Sequence, residues 1–307
     1  MRRRRSLSRR NRDSGIFVRG GAAVLSGLVL AAFASMAPVH ADPPRRIVSL
    51  NLCTDQLLVD LVARDRIAAV SFLATDKTLS AAASKLAGLK QLRGTAEEVL
   101  ALDPDLIIAG EYTTGPTVEL LKRLNKRVLT VPLASDFEGL RKTLRLLAKE
   151  VGEEARGEAI IKEFDERLAG ARPVLQSRPT AIAYQVNSLA SGADSLLDAA
   201  LDAAGYRNLA REKPLGPGGR LPLEELVVEP PDLVVLANAP EDFKTVLADN
   251  LRHPAFLDLL KRRPHAHLAM PYWMCATPKI AEAVEILASL KSSRFAANVK
   301  SQPDRSP

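Results

Sequence analysis

The sequence predicts an α/β fold of two Rossmann-like lobes with parallel sheets, joined by one long α-helix, with a ligand cleft between the lobes. Three observations lead there. Residues 93–108 (RGTAEEVLALDPDLII) and 220–235 (RLPLEELVVEPPDLVV) repeat one pattern, pairing Arg93 with Arg220, Glu97 with Glu224, Glu98 with Glu225, Pro104 with Pro231 and Asp105 with Asp232. Each copy reads as a short amphipathic helix, a Pro-containing turn and a continuous apolar run suited to a buried parallel strand. Short apolar strands alternate with helical segments on both sides of the chain's middle. Between them, Glu153 to Ala171 runs without proline, a helix of about 28 Å at 1.5 Å per residue. Two copies are too few for a solenoid, and two related lobes leave a cleft between them.

Taken in order, residues 1–41 read as a signal peptide. Arg2 to Arg5, Arg9, Arg10 and Arg12 form a basic start, Gly20 to Ala37 an apolar stretch, and Val39-His40-Ala41 a small-x-small cleavage signal. A retained membrane anchor is the rival reading. The leader holds eight Arg and one Asp, which accounts for the whole net charge of +7. The remainder is balanced in charge, so nucleic acid is not an expected partner.

Residues 42–135 form the expected first lobe. Its strands are Arg46–Leu50, Arg66–Phe72, Leu106–Ala109 and Val128–Pro132, with helices through Gln56–Val62 and Thr117–Leu124. Residues 136–173 form the helical connector, opened by a capping box from Ser135 to Glu138 and containing the long helix. Residues 174–292 form the second lobe, with strand Thr180–Gln185, helix Ser195–Ala204, the second repeat copy, helices near Asp242–Ala248 and Pro254–Arg262, strand His267–Met270 and a helix from Pro278 to about Leu290. Residues 293–307 read as a polar tail.

Ligands on open parallel sheets sit outside the carboxyl ends of the strands. That rule selects Asn51, Cys53, Asp55, Phe72, Leu73, Arg93, Glu111 and Tyr112 in the first lobe. In the second it selects Gln185, Asn187, Arg220, Asn238, Tyr272, Trp273 and Cys275. Trp273, the only tryptophan, either stacks on a ligand or packs behind the last strand. Arg93 and Arg220, at helix starts, suit an anionic group or serve structure. Cys53 and Cys275 have three readings: free or buried thiols first, then a disulfide, then soft ligands to a metal or haem iron. A bond between them would hinder closure. His265 and His267 read as surface residues, His253 as a helix cap, and no zinc-like spacing remains.

The order and spacing of several motifs resemble one family: Arg-Ile-Val-Ser-Leu-Asn at 46–51, the two repeat copies, the long helix, and Tyr-Trp-Met-Cys-Ala-Thr-Pro at 272–278. From about Arg46 to Leu290 the chain resembles the periplasmic substrate-binding proteins of iron-siderophore and cobalamin ABC importers. The resemblance implies capture of a metal chelate in the cleft, an iron-siderophore first, then cobalamin, with haem or another oxyanion or metal complex following. It implies delivery to an inner-membrane ABC permease dimer, a periplasmic location, a monomeric state, and modest closure because the long helix limits the hinge. By position, Glu97 and Glu224 would dock the permease; their bland reading is solvated acids in a first helical turn.

No catalysis, cofactor or resident metal is expected. The chain lacks a Gly-x-Ser-x-Gly elbow, a P-loop and a Gly-x-Gly-x-x-Gly. The acids Asp103, Asp105 and Asp232 precede their strands, where they cap turns. A hydrolase or chelatase is the different-class alternative. A sensor or scaffold of the same fold without a transporter is another.

Overall fold

The apolar runs become strands buried on both faces, and this fixes the architecture. In the computed structural model, residues 42–113, 115–171, 177–236 and 246–299 are described. The expected signal peptide, Asn238, most of the expected Asp242–Ala248 helix and residues 300–307 lie outside them.

The elements run β1 (Ile47–Ser49), α1 (Leu52–Leu61), β2 (Ile67–Ser71), α2 (Ala83–Leu86), β3 (Gln91–Leu92), α3 (Ala96–Leu100), β4 (Leu106–Gly110), α4 (Gly115–Arg123) and β5 (Val128–Val131). Helices α5 (Phe137–Val151) and α6 (Glu154–Ala171) follow. Then come β6 (Thr180–Ala183), β7 (Leu189–Ala190), α7 (Leu196–Ala203), β8 (Arg207–Asn208), β9 (Gly219–Arg220), α8 (Leu223–Val228), β10 (Leu233–Leu236), α9 (Asp249–Arg252), α10 (Pro254–Arg262), β11 (His265–His267) and α11 (Ile280–Val299).

Two all-parallel sheets result, ordered β3-β2-β1-β4-β5 and β8-β6-β10-β11. They share one topology. In each, the chain leaves the first strand (β1 or β6) for one side, then returns to its other side with the strand of the repeat (β4 or β10) and adds a last strand outside it. A small antiparallel ribbon, β7 with β9, completes the second lobe.

Side chains alternate between two cores. Leu106, Ile108, Leu233 and Val235 join one large cluster, whereas Ile107 packs with Val99 and Leu121, and Val234 with Leu226 and Phe256. That is why each run is apolar at every position. The large cluster is common to both lobes: inward residues of both sheets meet α5, α6, α7 and α11 there, with Phe164 of α6 1% exposed.

The repeated Pro-Asp has a structural task. Asp105 accepts the amides of Arg45 and Arg46 (2.7 and 3.0 Å), and Asp232 accepts the amide and hydroxyl of Thr180 (2.8 and 2.9 Å). Each carboxylate clips the start of the repeat strand to the start of its neighbour, at the amino ends of the sheets.

Three expectations need correction. The cap of α5 is Asp136, whose carboxylate accepts the Gly139 amide at 2.6 Å, and not Ser135. A carboxylate suits a helix N-terminus, and Gly139 leaves room for it: a Cβ there would stand 3.2 Å from the Asp136 oxygen. The capping box instead sits at α3, between Thr95 and Glu98. The last strand is His265–His267, two residues earlier than expected, because its ladder with β10 ends at the Leu236–His267 pair. The polar tail expected from residue 293 begins inside α11, which continues to Val299 because no Gly or Pro interrupts 280–299.

Replacing Asp232 by Ala removes the clip of the second lobe and should cost about 1–3 kcal/mol of stability. Urea unfolding checks this; an unchanged midpoint would deny the clip its role.

Candidate functional site

At the carboxyl ends of the first sheet, the chain leaves β1 through Leu50 and Asn51 and turns into α1. Asn51 caps that helix by accepting the Cys53 amide at 2.9 Å. Its side chain lies against Gly110 at the end of β4, where an added Cβ would come within 2.6 Å of the Asn51 amide nitrogen. Only glycine lets the two strand ends approach so closely. Neighbouring β1 and β4 are also where the order of the sheet reverses, the point at which such sheets form a crevice.

A cavity of about 210 Å³ opens there, lined by residues that include Leu50, Asn51, Phe72, Leu73, Arg93, Gly94, Tyr112 and Thr113. A second, of about 70 Å³, shares Asn51 and Tyr112 and adds Cys53, Glu111, Leu133 and Ala276. The first-lobe candidates Asn51, Cys53, Phe72, Arg93 and Tyr112 are thus brought together. Phe72 is 55% exposed, Tyr112 80% and Leu133 61%. Three large apolar side chains left open around one crevice form a face suited to a ligand. Leu133 and Ala276 were not selected from the sequence: Leu133 directly follows the expected strand Val128–Pro132, where the rule could have found it, whereas Ala276 lies nine residues beyond β11.

In the second lobe Arg220 donates to the side-chain Oδ1 of Asn187 at 2.6 Å. Asn187 and Ser188 are consecutive non-glycine residues at φ of 59° and 56°, so the turn that presents them is held in an uncommon conformation. Gln185 is half-buried, its backbone oxygen taken by Asn250 at 2.8 Å. Arg93 and Arg220 are both exposed, and Glu98 accepts the amides of Arg93, Gly94 and Thr95, which fixes the loop that carries Arg93.

Trp273 does not directly follow the last strand. Met270–Tyr272 forms a 3₁₀ turn, and the half-buried indole donates to the Leu268 oxygen at 3.0 Å while packing, with Tyr272, on the shared core. His253 caps α10 by accepting the Ala255 amide, and His265 and His267 are exposed. Among the described residues no group of His, Cys, Asp and Glu is placed to hold a metal ion.

The reading of Cys53 and Cys275 as free or buried thiols is overturned. They form a disulfide, Cα atoms 5.2 Å apart, at a sequence separation of 222. Spacing could not reveal it, because the turn after β1 and the segment before α11 meet only once both lobes are assembled.

Asp55 is not a cleft residue either. It is fully buried beneath the crevice, accepting the Ser71 amide (3.2 Å) and the Ser71 hydroxyl, and so joins α1 to the end of β2. Burial pushes its carboxyl up to about 7, against hydrogen bonds from Ser49 and Ser71 that pull it down.

Two lobes of one topology, with open apolar and polar side chains gathered at strand ends and a covalent contact between the lobes beside them, define a two-lobed α/β binding protein. The chain belongs to the periplasmic binding protein family, whose model matches residues 47–262. It is 25% identical over 197 residues to a cobalamin-binding protein of Halobacterium salinarum, covering 62% of this chain and 53% of that one. The chain therefore spans about half the length of the curated relatives it matches. Among solved structures, its fold is similar to the apo periplasmic heme-binding protein RhuT of Roseiflexus (TM-score 0.68, 20% identity, 80% of this chain and 97% of that one). It is also similar to the periplasmic vitamin B12 binding protein BtuF of Vibrio cholerae (TM-score 0.63, 16% identity, 85% of this chain and all of that one).

The Asp55 carboxyl titrates higher in the fold than in the open chain, so folding takes up a proton between those two values. Its contribution is complete below about pH 4 and is lost as pH rises through about 7. Asp55→Asn should therefore flatten the fall in stability between about pH 5 and pH 8. Urea midpoints across that range check it; equal slopes for both proteins would contradict the assignment.

Proposed function

We propose that this protein captures a metal chelate between its lobes in the periplasm and hands it to an inner-membrane ABC permease dimer, with no chemical step. The observation that carries the reading is the open cluster of Phe72, Tyr112 and Leu133 around Asn51 and Arg93. Such a wall suits a large ligand with apolar faces and polar edges better than a sugar or a free ion. Arg93 from one lobe and Arg220, held by Asn187, from the other suit carboxylate, phosphate or amide groups at the ligand's edge.

Sequence alone puts an iron-siderophore first. The apolar wall and the cobalamin-binding relative favour cobalamin as the first probe, with haem and ferric siderophores beside it. Secretion through a cleaved leader at residues 1–41 belongs to the same reading.

Glu97 and Glu224 are proposed as the permease contacts. Both are exposed in the first turns of α3 and α8, which precede β4 and β10 in the two lobes. Each follows its lobe's arginine, Arg93 or Arg220, by four positions. Ligand and transporter would therefore meet the protein on adjoining surfaces.

Fluorescence of Trp273 in the mature protein, titrated with cobalamin, haem and ferric siderophores, tests the ligand class. Saturable quenching by one of them is expected, weakened about tenfold or more by a Phe72→Ala/Tyr112→Ala change. No response to any chelate, or a response indifferent to both aromatics, would refute the site. Glu97→Lys with Glu224→Lys should abolish cellular uptake while leaving that titration unchanged. Normal uptake would remove the docking assignment.

A further inference from the structure

The Cys53–Cys275 bridge is the one covalent link between the lobes besides the chain itself, among the described residues, and its position is specific. Cys53 stands in the first turn of α1, at the crevice, and lines the smaller cavity beside Asn51. Cys275 is 1% exposed and lies between the Tyr272–Trp273 turn and α11, with Ala276 reaching the same cavity. The bridge therefore ties the ligand-facing corner of one lobe to the closing segment of the other.

The polar ties lie elsewhere. At the far end of α1, the Asp60 oxygen accepts from Arg156 of α6 at 3.0 Å. Further along α6, Arg167 pairs with Glu285 of α11 at 2.8 Å and with Glu282 at 3.6 Å. Cys53 and Asp60 are separated by most of the length of α1, about 10 Å along its axis. With the bridge in place the lobes are held at both ends of that lever. Without it, the α6 side remains fastened, and at the crevice only the noncovalent packing of Tyr272 and Trp273 on the shared core holds the two corners together.

We propose that the Cys53–Cys275 disulfide is a positioning element of the binding site. It holds the Tyr272–Trp273 segment of the second lobe against the Asn51 corner of the first, so the site is assembled before ligand arrives, and reduction releases it. The positioning role rests on the ligand reading above. The release of the lobes does not, and it can be measured without ligand.

The experiment uses the mature chain carrying a pair of spectroscopic labels on noncanonical residues at Glu119 and Leu257. These are exposed positions within α4 and α10, which occupy matching places in the two lobes, and no new thiol is introduced. Distances between the labels are compared for the oxidised protein, the protein reduced by a phosphine, and Cys53→Ser/Cys275→Ser. Reduction of already folded protein keeps the test valid if the double variant folds poorly. One narrow distribution is expected when oxidised, and a broader one, displaced to longer distance, when reduced or substituted. Arg167→Gln, which breaks the α6–α11 pairs and leaves the bridge, should keep the narrow distribution.

Superimposable distributions in the oxidised and reduced states would overturn the proposal. With cobalamin as probe, reduction should raise Kd about tenfold if only about a tenth of molecules keep the assembled site. A probe that binds equally well in both states would overturn the positioning role. If no chelate binds either state while the distances still change, the ligand reading fails and the tether stands.

Discussion

The structure depends on one constraint: the inward faces of two separate sheets are buried in a single hydrophobic cluster built around α6. Ile47, Leu106 and Ile108 from one sheet, and Ala181, Leu233 and Val235 from the other, belong to the same cluster as Ile160 and Phe164 of the connecting helix. Neither lobe has an inner core of its own. The helix is thus a shared wall as well as a linker. Its close packing on α5 is possible because Gly157 leaves no side chain where a Cβ would meet that of Ala148 at 2.6 Å.

From this arrangement the binding face follows. Two copies of one topology, packed by their inner faces onto one helix layer, leave the carboxyl strand ends of each lobe free to carry exposed side chains. The disulfide between Cys53 and Cys275 then shows that the end of β1 and the segment after β11 come together at one place. Beside that bridge, Ala276 of the second lobe reaches the smaller cavity of the first. A rigid scaffold with variable strand ends is the usual way for α/β folds to change ligand without changing architecture.

Much of the fold was legible because it is written as local repetition. The alternation of short apolar runs and helices fixed the element order, and the duplicated Arg…Glu-Glu…Pro-Asp pattern predicted equivalent lobes down to the shared role of Asp105 and Asp232. The gathering of Asn51, Phe72, Arg93 and Tyr112 at one crevice was legible too, because the strand-end rule uses only the order of elements. What escaped depends on contacts distant in sequence. The disulfide joins residues whose proximity exists only in the assembled molecule. Asp55, one helical turn on from Asn51, turns inward because Ser49 and Ser71 offer it partners. Trp273 lies farther from its strand than expected, since a 3₁₀ turn intervenes and draws the indole back to the Leu268 oxygen.

Native-state hydrogen exchange in low denaturant tests the shared core most directly, reading the amides of β4 and β10 side by side. If both sheets rest on one cluster, their slowest amides exchange through the same global opening, with equal free energy and equal denaturant dependence. Should β10 exchange through a smaller opening that leaves β4 protected, or the reverse, the lobes would be independent domains and the account would be wrong.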